Sequence, residues 1–420
     1  MTYTFHFAPR SGWMNDPNGL VDWNGRHHLF FQHNPDAPTF GNMSWGHASS
    51  VDFFRWEEHA VTLQSSPDEF PYDRDGRYSG CAVAVDGQVW FVYTGVEGDM
   101  QLPCLARASD PGLVDLARDP ANPVIRSRPD GAERVTDFRD HSVRHEDGEW
   151  RQVVGGGRVG VGGTLFAYRS PDLHHWEYDG VLLDAGRADI PGTVWECPDV
   201  WRAGAEGVVV VSAVDPSTDG PAQPWWAIGE LGARSFVPRL TARLDLGDRF
   251  YAPQSYWDGA GRRIMFGWLT THHDPGSAGA ESVGVMSVPR ELAVRGGRLV
   301  QQPVAELEAL RGRPTDTALS ADAPATTVPL DGADAFELVL DGPAAAVDLA
   351  GDDGEHLTVD LGVLDPGPSA RLLFDHGVVE VFADGRAASW SHLRLPSVKE
   401  AVVRHPQGGS GSARVWGLAV

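Results

Sequence analysis

Residues 13–20, which read WMNDPNGL, hold a carboxylate on a stiff turn. Asp16 is followed by Pro17, which disfavours a helical backbone for the residue before it, and Asn18-Gly19 supplies a tight turn. The stretch is too polar for a core strand and too rigid for a linker. An ordinary Asx-Pro turn would also explain it, so its chemistry depends on what the rest of the chain brings near it.

Two further acidic residues, Asp140 in FRD and Glu196 in TVWECPD, could act together with Asp16. Cleavage of a glycosidic bond needs one carboxylic acid that protonates the leaving oxygen and one ionised carboxylate that attacks or activates water. The neighbours of Glu196 predict apolar surroundings, which disfavour the charged form and suit a general acid. Asp16, among the backbone donors of its turn, is the candidate for the ionised partner. Asp140 is expected to stay ionised beside Arg139 and to stabilise positive charge on the sugar.

Hairpin signals recur along much of the chain. Apolar or alternating runs broken by polar or Gly-rich turns occupy residues 20–31, 82–93, 142–154, 200–211 and 255–268, and successive hairpins begin roughly 60 residues apart. A shorter pattern, SxDxxxWE, occurs at Ser50 and again at Ser170. Five units of near-equal length fit five propeller blades better than a sandwich, in which turns come about every 8 to 12 residues.

The polar clusters fall at the same place in each predicted blade. Just before the first strand of each hairpin lie Asn15-Asp16, Tyr78-Ser79, Arg139-Asp140, Glu196 and residues 251–254. Equivalent positions in five blades ring one end of a central channel, so the three carboxylates are expected to converge on one pocket. Each acid could instead belong to an ordinary turn of its own blade. Against this, all three occupy the same position relative to the hairpin that follows them.

The composition limits the partners of the chain. Its 420 residues include 49 Gly, 30 Pro and 15 Trp, which is typical of turn-rich proteins with short strands. A net charge of -24, with Lys399 as the only lysine, argues against nucleic acid or an anionic membrane as partner. The three cysteines, Cys81, Cys104 and Cys197, form no CxxC, and their odd number argues against a disulfide framework. The first residues, MTYTFHFAPR, contain no apolar signal core, so a soluble cytoplasmic protein is expected unless a leader has been removed.

A series of motifs, in order along the chain, resembles glycoside hydrolase family 32, the β-fructofuranosidases that include invertases, inulinases and levanases. The motifs are WMNDPNGL, LFFQHNP (29–35), GNMSWGHASSVDFFRWE (41–57), YSG (78–80), FRD (138–140), WECPDV (195–200), YAPQSY (251–256), GRRIMFGWL (261–269), SVPREL (287–292), QQPVAELEALR (301–311) and FDHGVVEVFADGR (374–386). The resemblance implies an all-β chain with a five-bladed β-propeller followed by a C-terminal β-sandwich. The expected divisions are a catalytic propeller at 1–300, a linker with a short helix at 301–316 and the sandwich at 317–420.

The same resemblance implies a retaining, double-displacement mechanism without metal or organic cofactor. Asp16 is the expected nucleophile, Glu196 the acid/base and Asp140 the stabiliser of the transition state. The expected substrate-binding residues are Asn15, Gln32, Phe40, Trp45, Tyr78, Ser79, Arg139, His141, Tyr251 and Trp268. Phe40 stands where the family usually has tryptophan and His141 where it usually has proline, so the contacts of the leaving group are expected to differ.

The expected small-molecule substrates are sucrose and short fructo-oligosaccharides, with inulin and levan cut more slowly, because a cytoplasmic enzyme meets imported small saccharides. An inulin- or levan-preferring enzyme and a fructosyltransferase remain alternatives on the same site. An inverting propeller enzyme of the arabinanase type and a noncatalytic fructan-binding protein are rivals of other classes. Three histidine pairs, at 27–28, 174–175 and 272–273, lack the spacing of metal ligands, so no metal is expected. The sequence does not set the oligomeric state.

Overall fold

The computed structural model describes residues 3–420 apart from residues 65, 67, 130–133, 218–221, 321, 353, 366, 368 and 406–409. Its described residues form strands and short 3-10 helices, and the helices span Pro71–Asp73, Thr271–His273, Pro275–Ser277, Ala305–Leu310 and Leu361–Leu364. No helix among the described residues is long and apolar enough to cross a membrane. In the same part of the chain, no group of three or more His, Cys, Asp or Glu side chains is arranged to hold a metal ion.

Residues 12–303 form five antiparallel units of four strands each, with two short additional strands that pair with the first and the fifth unit. The first three units contain β1 (Gly12–Trp23), β2 (Arg26–Asn34), β3 (Ser44–Ser50) and β4 (Trp56–Glu58); β5 (Gly76–Val85), β6 (Gln88–Glu97), β7 (Met100–Ala108) and β8 (Leu116–Arg118); and β9 (Val135–Glu146), β10 (Glu149–Arg158), β11 (Gly162–Ser170) and β12 (Glu177–Asp184). The other two contain β13 (Val194–Ala203), β14 (Glu206–Val214), β15 (Gln223–Leu231) and β16 (Phe236–Arg243); and β17 (Phe250–Trp257), β18 (Arg263–Leu269), β19 (Ser282–Val283), β20 (Val285–Met286), β21 (Arg290–Arg295) and β22 (Arg298–Pro303).

The five units close into a ring. Their first strands, β1, β5, β9, β13 and β17, contact one another in order, and β17 contacts β1. The short strand β19 leaves the fifth unit and pairs in parallel with β1, which ties the end of the ring to its beginning. The units are therefore the five blades of a propeller, and the fold class predicted from the sequence is confirmed.

The inner hairpins form because their turns have the right local chemistry. Asn24-Gly25, Asp86-Gly87 and Asp147-Gly148 all have positive φ, between 50° and 80°. This backbone suits the two-residue turns whose twist matches that of the flanking strands. The SxDxxxWE pattern also marks one structure twice, because Asp52 and Asp172 each accept backbone N–H groups two and three residues ahead.

Each first strand has a β-bulge at the same level of the channel. The pairing register shifts between Met14 and Pro17 in β1, and β5, β9, β13 and β17 shift at the corresponding level. The expectation that residues 13–20 are too polar for a core strand is therefore wrong, because the bulges let polar side chains lie in a mostly buried strand. Three of the bulge residues, Asp140, Cys197 and Ala252, have left-handed φ values of 62°, 47° and 49°. A bulge redirects the side chains beside it, so five strands turn polar groups towards the same end of the channel.

The chain after the propeller folds as a β-sandwich. One sheet has the order β23 (Thr315–Leu319), β32 (Gly411–Gly417), β25 (Ala335–Asp341), β28 (Ser369–Asp375), β29 (Val378–Ala383) and β30 (Arg386–Ser391). The other has the order β24 (Ala325–Ala333), β31 (Val398–Arg404), β26 (Ala346–Ala350) and β27 (His356–Asp360). Side chains from both sheets, such as Leu338 and Leu349, pack in one core. The helix Ala305–Leu310 lies within the expected linker, while the division points at 300 and 316 stay a prediction.

A buried network of charged groups joins the two domains. His6 Nδ1 lies 2.9 Å from Asp375 of the sandwich, and His6 Nε2 lies 3.0 Å from Glu380. Glu380 also accepts hydrogen bonds from Arg290 of the fifth blade, which in turn donates to Asp245 at 2.9 Å. All five side chains are buried. These contacts cross from the propeller to the sandwich, and removal of one partner would cost about 3–5 kcal/mol because a buried charge is left unpaired.

Candidate active site

The five bulges open onto one cavity of about 460 Å³ at one end of the channel. It lies where the inner ends of the blades meet, so it is lined by residues distant in the sequence. The lining residues are Trp13, Asn15, Asp16, Gln32, Phe40, Tyr78, Ser79, Gln101, Asp137, Arg139, Asp140, Glu196, Pro216, Tyr251 and Trp268. The structure therefore brings Asp16, Asp140 and Glu196 together in one cavity, as predicted from their equivalent positions in three blades.

Asp16 is held by donors on both of its carboxylate oxygens. Oδ1 accepts a hydrogen bond from Asn15 Nδ2 at 3.0 Å, and Oδ2 accepts from Ser79 Oγ at 2.6 Å and from Cys197 Sγ at 3.4 Å. Burial raises the pKa of Asp16 above its usual value; the bonds from Ser79 and Asn15 oppose this rise, and the charge of Glu196 adds to it. The donors fix the orientation of the carboxylate in the cavity and favour its ionised form.

Asp140 lies deeper than Asp16, with 4% of its surface exposed. Its Oδ2 accepts a hydrogen bond from the backbone N–H of Cys197 at 2.8 Å and from Cys197 Sγ at 3.4 Å. Burial raises the pKa of Asp140 to about 7; Arg139 opposes this rise, and Glu196 and Asp16 add to it. Arg139 thus lowers the pKa of Asp140 as expected, but burial beside two other acids outweighs the arginine and leaves the pKa above its usual value.

Glu196 has polar partners rather than the apolar surroundings expected from its neighbours in sequence. Its Oε1 accepts hydrogen bonds from Nε and Nη2 of Arg139, and its Oε2 accepts one from the hydroxyl of Tyr251. Arg139 is also fixed by Asp137 at 2.6 Å. The expectation is wrong because side chains alternate along a strand: Trp195 is buried away from the cavity, while Glu196 keeps 20% of its side chain exposed.

Aromatic side chains form one wall of the cavity and its mouth. The ring of Trp13 lies edge-on to Trp268 at 5.7 Å and to Phe40 at 6.4 Å between centroids, and Phe40 lies 6.1 Å from Tyr78. Phe40 is 57% exposed, which places it at the mouth. Trp13 also donates from Nε1 to Asn15 Oδ1 at 2.8 Å, so the wall helps to orient the amide that holds Asp16.

The chain also matches known proteins in sequence. The family model described as the glycosyl hydrolases family 32 N-terminal domain matches residues 6–303. The chain belongs to glycoside hydrolase family 32. Two Escherichia coli relatives of this family 32 chain are a raffinose invertase, 37% identical over 327 residues, and a sucrose-6-phosphate hydrolase, 35% identical over 327 residues. Each alignment covers 73% of this chain and 65% of the relative, so the chain spans less than two thirds of their length.

Solved structures resemble the family 32 chain over its whole length. A β-fructofuranosidase from Bombyx mori superposes with a TM-score of 0.83 at 26% identity, covering 100% of this chain and 94% of its own. The fructan 1-exohydrolase IIa of Cichorium intybus gives a TM-score of 0.84 at 24% identity, with coverages of 100% and 97%. The second likeness concerns the fold alone. Both agree with a propeller followed by a sandwich.

Trp45 does not reach the cavity of the family 32 chain, contrary to the prediction that it binds substrate. It is completely buried behind the wall, and its Nε1 donates to the backbone oxygen of Tyr78 at 3.3 Å. Its ring packs between the first two blades, against Phe30, Phe91 and Tyr93. Gln32, by contrast, lines the cavity, although its Nε2 already donates to the backbone oxygen of Arg77 at 2.8 Å.

His141 also lies away from the cavity, so the prediction of a substrate contact is wrong. It is 1% exposed, because the left-handed residue before it turns the chain and directs the ring between two blades. Its Nε2 lies 3.0 Å from Thr94 Oγ1 and its Nδ1 3.0 Å from Gln152 Nε2. Burial lowers the pKa of His141 to about 3. Thr94 Oγ1 also accepts from the backbone N–H of Asp140, so the ring supports the position of Asp140.

Four lining residues were not predicted: Trp13, Gln101, Asp137 and Pro216. Asp137 could have been found, since it lies two residues before Arg139 and so on the same face of β9. Trp13 belongs to the WMNDPNGL motif, but its side-chain direction is set by packing. Gln101 and Pro216 lie outside the motifs, and no pattern in the sequence marks them.

Below the cavity of the family 32 chain, Gln254 links three blades around the channel. Gln254 reaches across it from β17: its Oε1 accepts from the backbone N–H of Leu20 in β1 at 3.2 Å, and its Nε2 donates to the backbone oxygen of Gly80 in β5 at 2.7 Å. A separate cavity of about 500 Å³ lies at the other end, and it shares no lining residue with the first. We refer to the layer around Gln254 as the channel floor.

Proposed function

We propose that this chain is a retaining glycoside hydrolase that releases terminal β-D-fructofuranosyl units from sucrose and short fructo-oligosaccharides. The observation that carries the proposal is that Asp16, Asp140 and Glu196, from three different blades, line one cavity. The names of the matched proteins, raffinose invertase and β-fructofuranosidase, support the substrate class.

In this mechanism, Asp16 attacks the anomeric carbon of the fructosyl unit while Glu196 protonates the leaving oxygen. The bond to the leaving sugar breaks, and a covalent fructosyl ester forms on Asp16. Glu196 then takes a proton from water, which hydrolyses the ester and restores the carboxylate. Ser79 and Asn15 hold Asp16 for attack, and Tyr251 and Arg139 hold Glu196. Asp140 stabilises the positive charge of the transition state or holds sugar hydroxyls.

The charged residues that line the cavity favour sucrose over a phosphorylated sucrose. Some relatives are named sucrose-6-phosphate hydrolases, so phosphorylated sucrose has to be considered as a second substrate. A phosphate group is best bound by free arginine or lysine side chains. Among the described residues of the lining, Arg139 alone is a lysine or arginine, and its guanidinium is already paired with Glu196 and Asp137. The uncharged sugar is therefore the better fit.

A substrate comparison tests the proposal. Sucrose, sucrose-6-phosphate, 1-kestose, inulin and levan are incubated with equal amounts of enzyme, and the products are separated by chromatography. We expect free fructose as the main product and a kcat/KM for sucrose that exceeds that of the phosphate by about tenfold or more, the equivalent of one unpaired polar group. The fructose should first appear as the β anomer in rapid NMR spectra.

Other outcomes would point to the alternatives. Polymer cut faster than sucrose would indicate an inulinase or levanase, and oligosaccharide products longer than the substrate would indicate a fructosyltransferase. The α anomer as first product would assign the inverting mechanism. Binding of fructosides without release of fructose would make the chain a noncatalytic binding protein and overturn the proposal.

A further inference from the structure

The hydroxyl of Thr94 is the meeting point of three buried hydrogen bonds between the second and the third blade. Thr94 belongs to β6, and its Oγ1 lies 3.0 Å from the backbone oxygen of Ser79 in β5. The same oxygen lies 3.0 Å from the backbone nitrogen of Asp140 and 3.0 Å from Nε2 of His141, both in β9. Thr94 is completely buried, so its position depends on these protein partners.

The three bonds fix the tautomer of His141. A threonine hydroxyl donates one hydrogen bond and accepts two. The backbone oxygen of Ser79 can only accept, so it takes the hydroxyl proton, and the backbone N–H of Asp140 donates to one lone pair of Oγ1. The bond to His141 then requires a proton on Nε2, which donates to the second lone pair. Nδ1 is the unprotonated nitrogen, and it accepts from Nε2 of Gln152 at 3.0 Å.

The proposed nucleophile and the proposed stabiliser both depend on atoms that Thr94 holds. Asp140 has a left-handed backbone with a φ of 62°, which is uncommon outside glycine and persists where neighbouring contacts hold it. Its N–H donates to Thr94, while its carboxylate accepts from the backbone N–H of Cys197 at 2.8 Å. Ser79, whose backbone oxygen accepts from Thr94, donates from Oγ to Asp16 at 2.6 Å. One hydroxyl therefore links the positions of the two acids.

His141 supports this hydroxyl from the third blade. The residue is 1% exposed, and burial lowers its pKa to about 3, so the imidazole is neutral at neutral pH. A charged imidazole would carry a proton on Nδ1, directly against the amide N–H of Gln152. The family pattern has proline at this position, which stiffens the backbone but offers no side-chain donor. The histidine thus gives this chain a hydrogen-bonded support that proline does not supply.

We propose that Gln152, His141 and Thr94 form a relay that positions the nucleophile and the stabiliser without touching the substrate. Gln152 orients the imidazole, and His141 in turn holds the hydroxyl of Thr94. All three residues lie outside the lining of the catalytic cavity, so they are positioning residues rather than catalytic ones. The inference rests on the proposed function and adds to it three residues that set the geometry of the acids.

Kinetics of matched variants test the relay. In His141→Phe, which keeps a buried ring but removes the donor, we expect kcat for sucrose to fall about 10- to 100-fold, as when a distant change misplaces a reacting group. KM should stay within about threefold, because the lost support acts on the transition state. His141→Gln, whose amide can donate in place of Nε2, should restore kcat to within about threefold of the wild type. His47→Phe removes a similarly buried histidine of the first blade and is the control, which should keep the wild-type kcat.

A double-mutant cycle tests whether His141 and Thr94 act through the same hydroxyl. Thr94→Val should lower kcat at least as much as His141→Phe, and Thr94→Ser, which keeps the hydroxyl, should retain most of the activity. The double variant should lose no more than Thr94→Val alone, because the second change removes a donor whose acceptor is already gone. Losses that multiply in the double variant would overturn the inference.

The tautomer of His141 provides a readout that does not need turnover. In NMR spectra of the ¹⁵N-labelled wild-type enzyme, the His141 signals, assigned by comparison with His141→Gln, should show a protonated Nε2 and an unprotonated Nδ1 at neutral pH. A protonated Nδ1, or a wild-type kcat in both His141→Phe and Thr94→Val, would overturn the inference while leaving the proposed function intact. Failure of the wild-type enzyme to release fructose from sucrose would overturn the proposed function, and the inference with it.

Discussion

At the scale of single residues, Cys197 connects two of the three acids. Its backbone N–H and its thiol are directed to Asp140, and the thiol also lies 3.4 Å from Asp16. Burial raises the pKa of the Cys197 thiol well above its usual value, so the sulfur keeps its proton and acts as a donor. One residue thereby fixes the spacing of two carboxylates on different blades.

The roles proposed for the three acids predict different losses on different substrates. Asp16→Ala and Asp140→Ala should lose about 10⁴-fold or more in kcat on every substrate, because removal of a nucleophile or a charge stabiliser acts whatever the leaving group. Glu196→Ala should lose about 10²- to 10⁴-fold on sucrose. On an aryl fructoside with an activated leaving group it should keep measurable turnover, because that group leaves without a proton.

Steady-state kinetics on sucrose and on the aryl fructoside compare the three variants. Glu230→Ala, an exposed acid on β15, is the control and should behave as the wild type. An equal loss on both substrates in all three variants would remove the case for Glu196 as the acid.

The convergence of the acids could be predicted from the sequence, whereas their partners could not. The common phase of Asp16, Asp140 and Glu196 relative to the hairpins follows from local patterns, and the structure places the three in one cavity. Arg139 lies next to Asp140 in sequence but donates to Glu196 of another blade. Such a contact depends on how the bulges direct side chains across the channel, which a local pattern does not contain.

At the scale of strands and turns, the channel floor depends on one amide. Gln254 satisfies a backbone N–H of the first blade and a backbone C=O of the second. Buried polar groups that lose their partners cost about 1–3 kcal/mol each. Gln254→Leu should therefore lower the free energy of unfolding by about 2–6 kcal/mol, because two such groups are left unpaired.

Urea unfolding followed by tryptophan fluorescence measures this change. Gln302→Leu, at an exposed position of β22, is the matched control and should change stability by no more than about 0.5 kcal/mol. A loss for Gln254→Leu no larger than that of the control would show that water replaces the amide and that the floor does not depend on it.

Hairpins were predictable at this scale because their turns are local. The turns at Asn24-Gly25 and Asp86-Gly87 carry their own conformational preference, and they lie where the sequence places them. The strand β19, which closes the ring by parallel pairing with β1, contains two residues and has no periodic signal. Its place follows from the tertiary fold, so the sequence did not predict it.

At the scale of the whole molecule, the buried contact between the two domains depends on the protonation of His6 and therefore on pH. Burial lowers the pKa of His6, but its bonds to Asp375 and Glu380 outweigh burial and raise it from 6.5 to about 9. Against the effect of burial, His6 lowers the pKa of Asp375, and Arg290 together with His6 lowers the pKa of Glu380. The folded state thus binds the proton of His6 more tightly than the unfolded chain does.

This linkage predicts a loss of stability at alkaline pH. The contribution of His6 is fully present below pH 6.5 and is lost as the pH rises through about 9. The shift corresponds to roughly 3 kcal/mol, so the free energy of unfolding should fall by about that order between pH 6.5 and 9.5. Denaturant unfolding at a series of pH values measures it.

His6→Gln separates this histidine from the other titrating groups. The variant should be less stable than the wild type at pH 6.5 and should lose less stability between pH 6.5 and 9.5. His175→Gln, at a surface ion pair whose histidine side chain is 84% exposed, serves as the control and should keep the wild-type slope. An unchanged slope in His6→Gln would assign the alkaline loss to other groups.

The channel floor at Gln254 lies between the catalytic cavity and the cavity at the other end of the channel, and the doorway of the catalytic cavity lies beside Phe40. With the proposed chemistry, the departing sugar has to clear the doorway before water can reach the ester on Asp16, so products leave in a fixed order with fructose last. Because the floor lies between the two cavities, we expect a long sugar chain to enter by one end rather than to pass through the channel. With the proposed chemistry, it would then lose one unit at a time from that end.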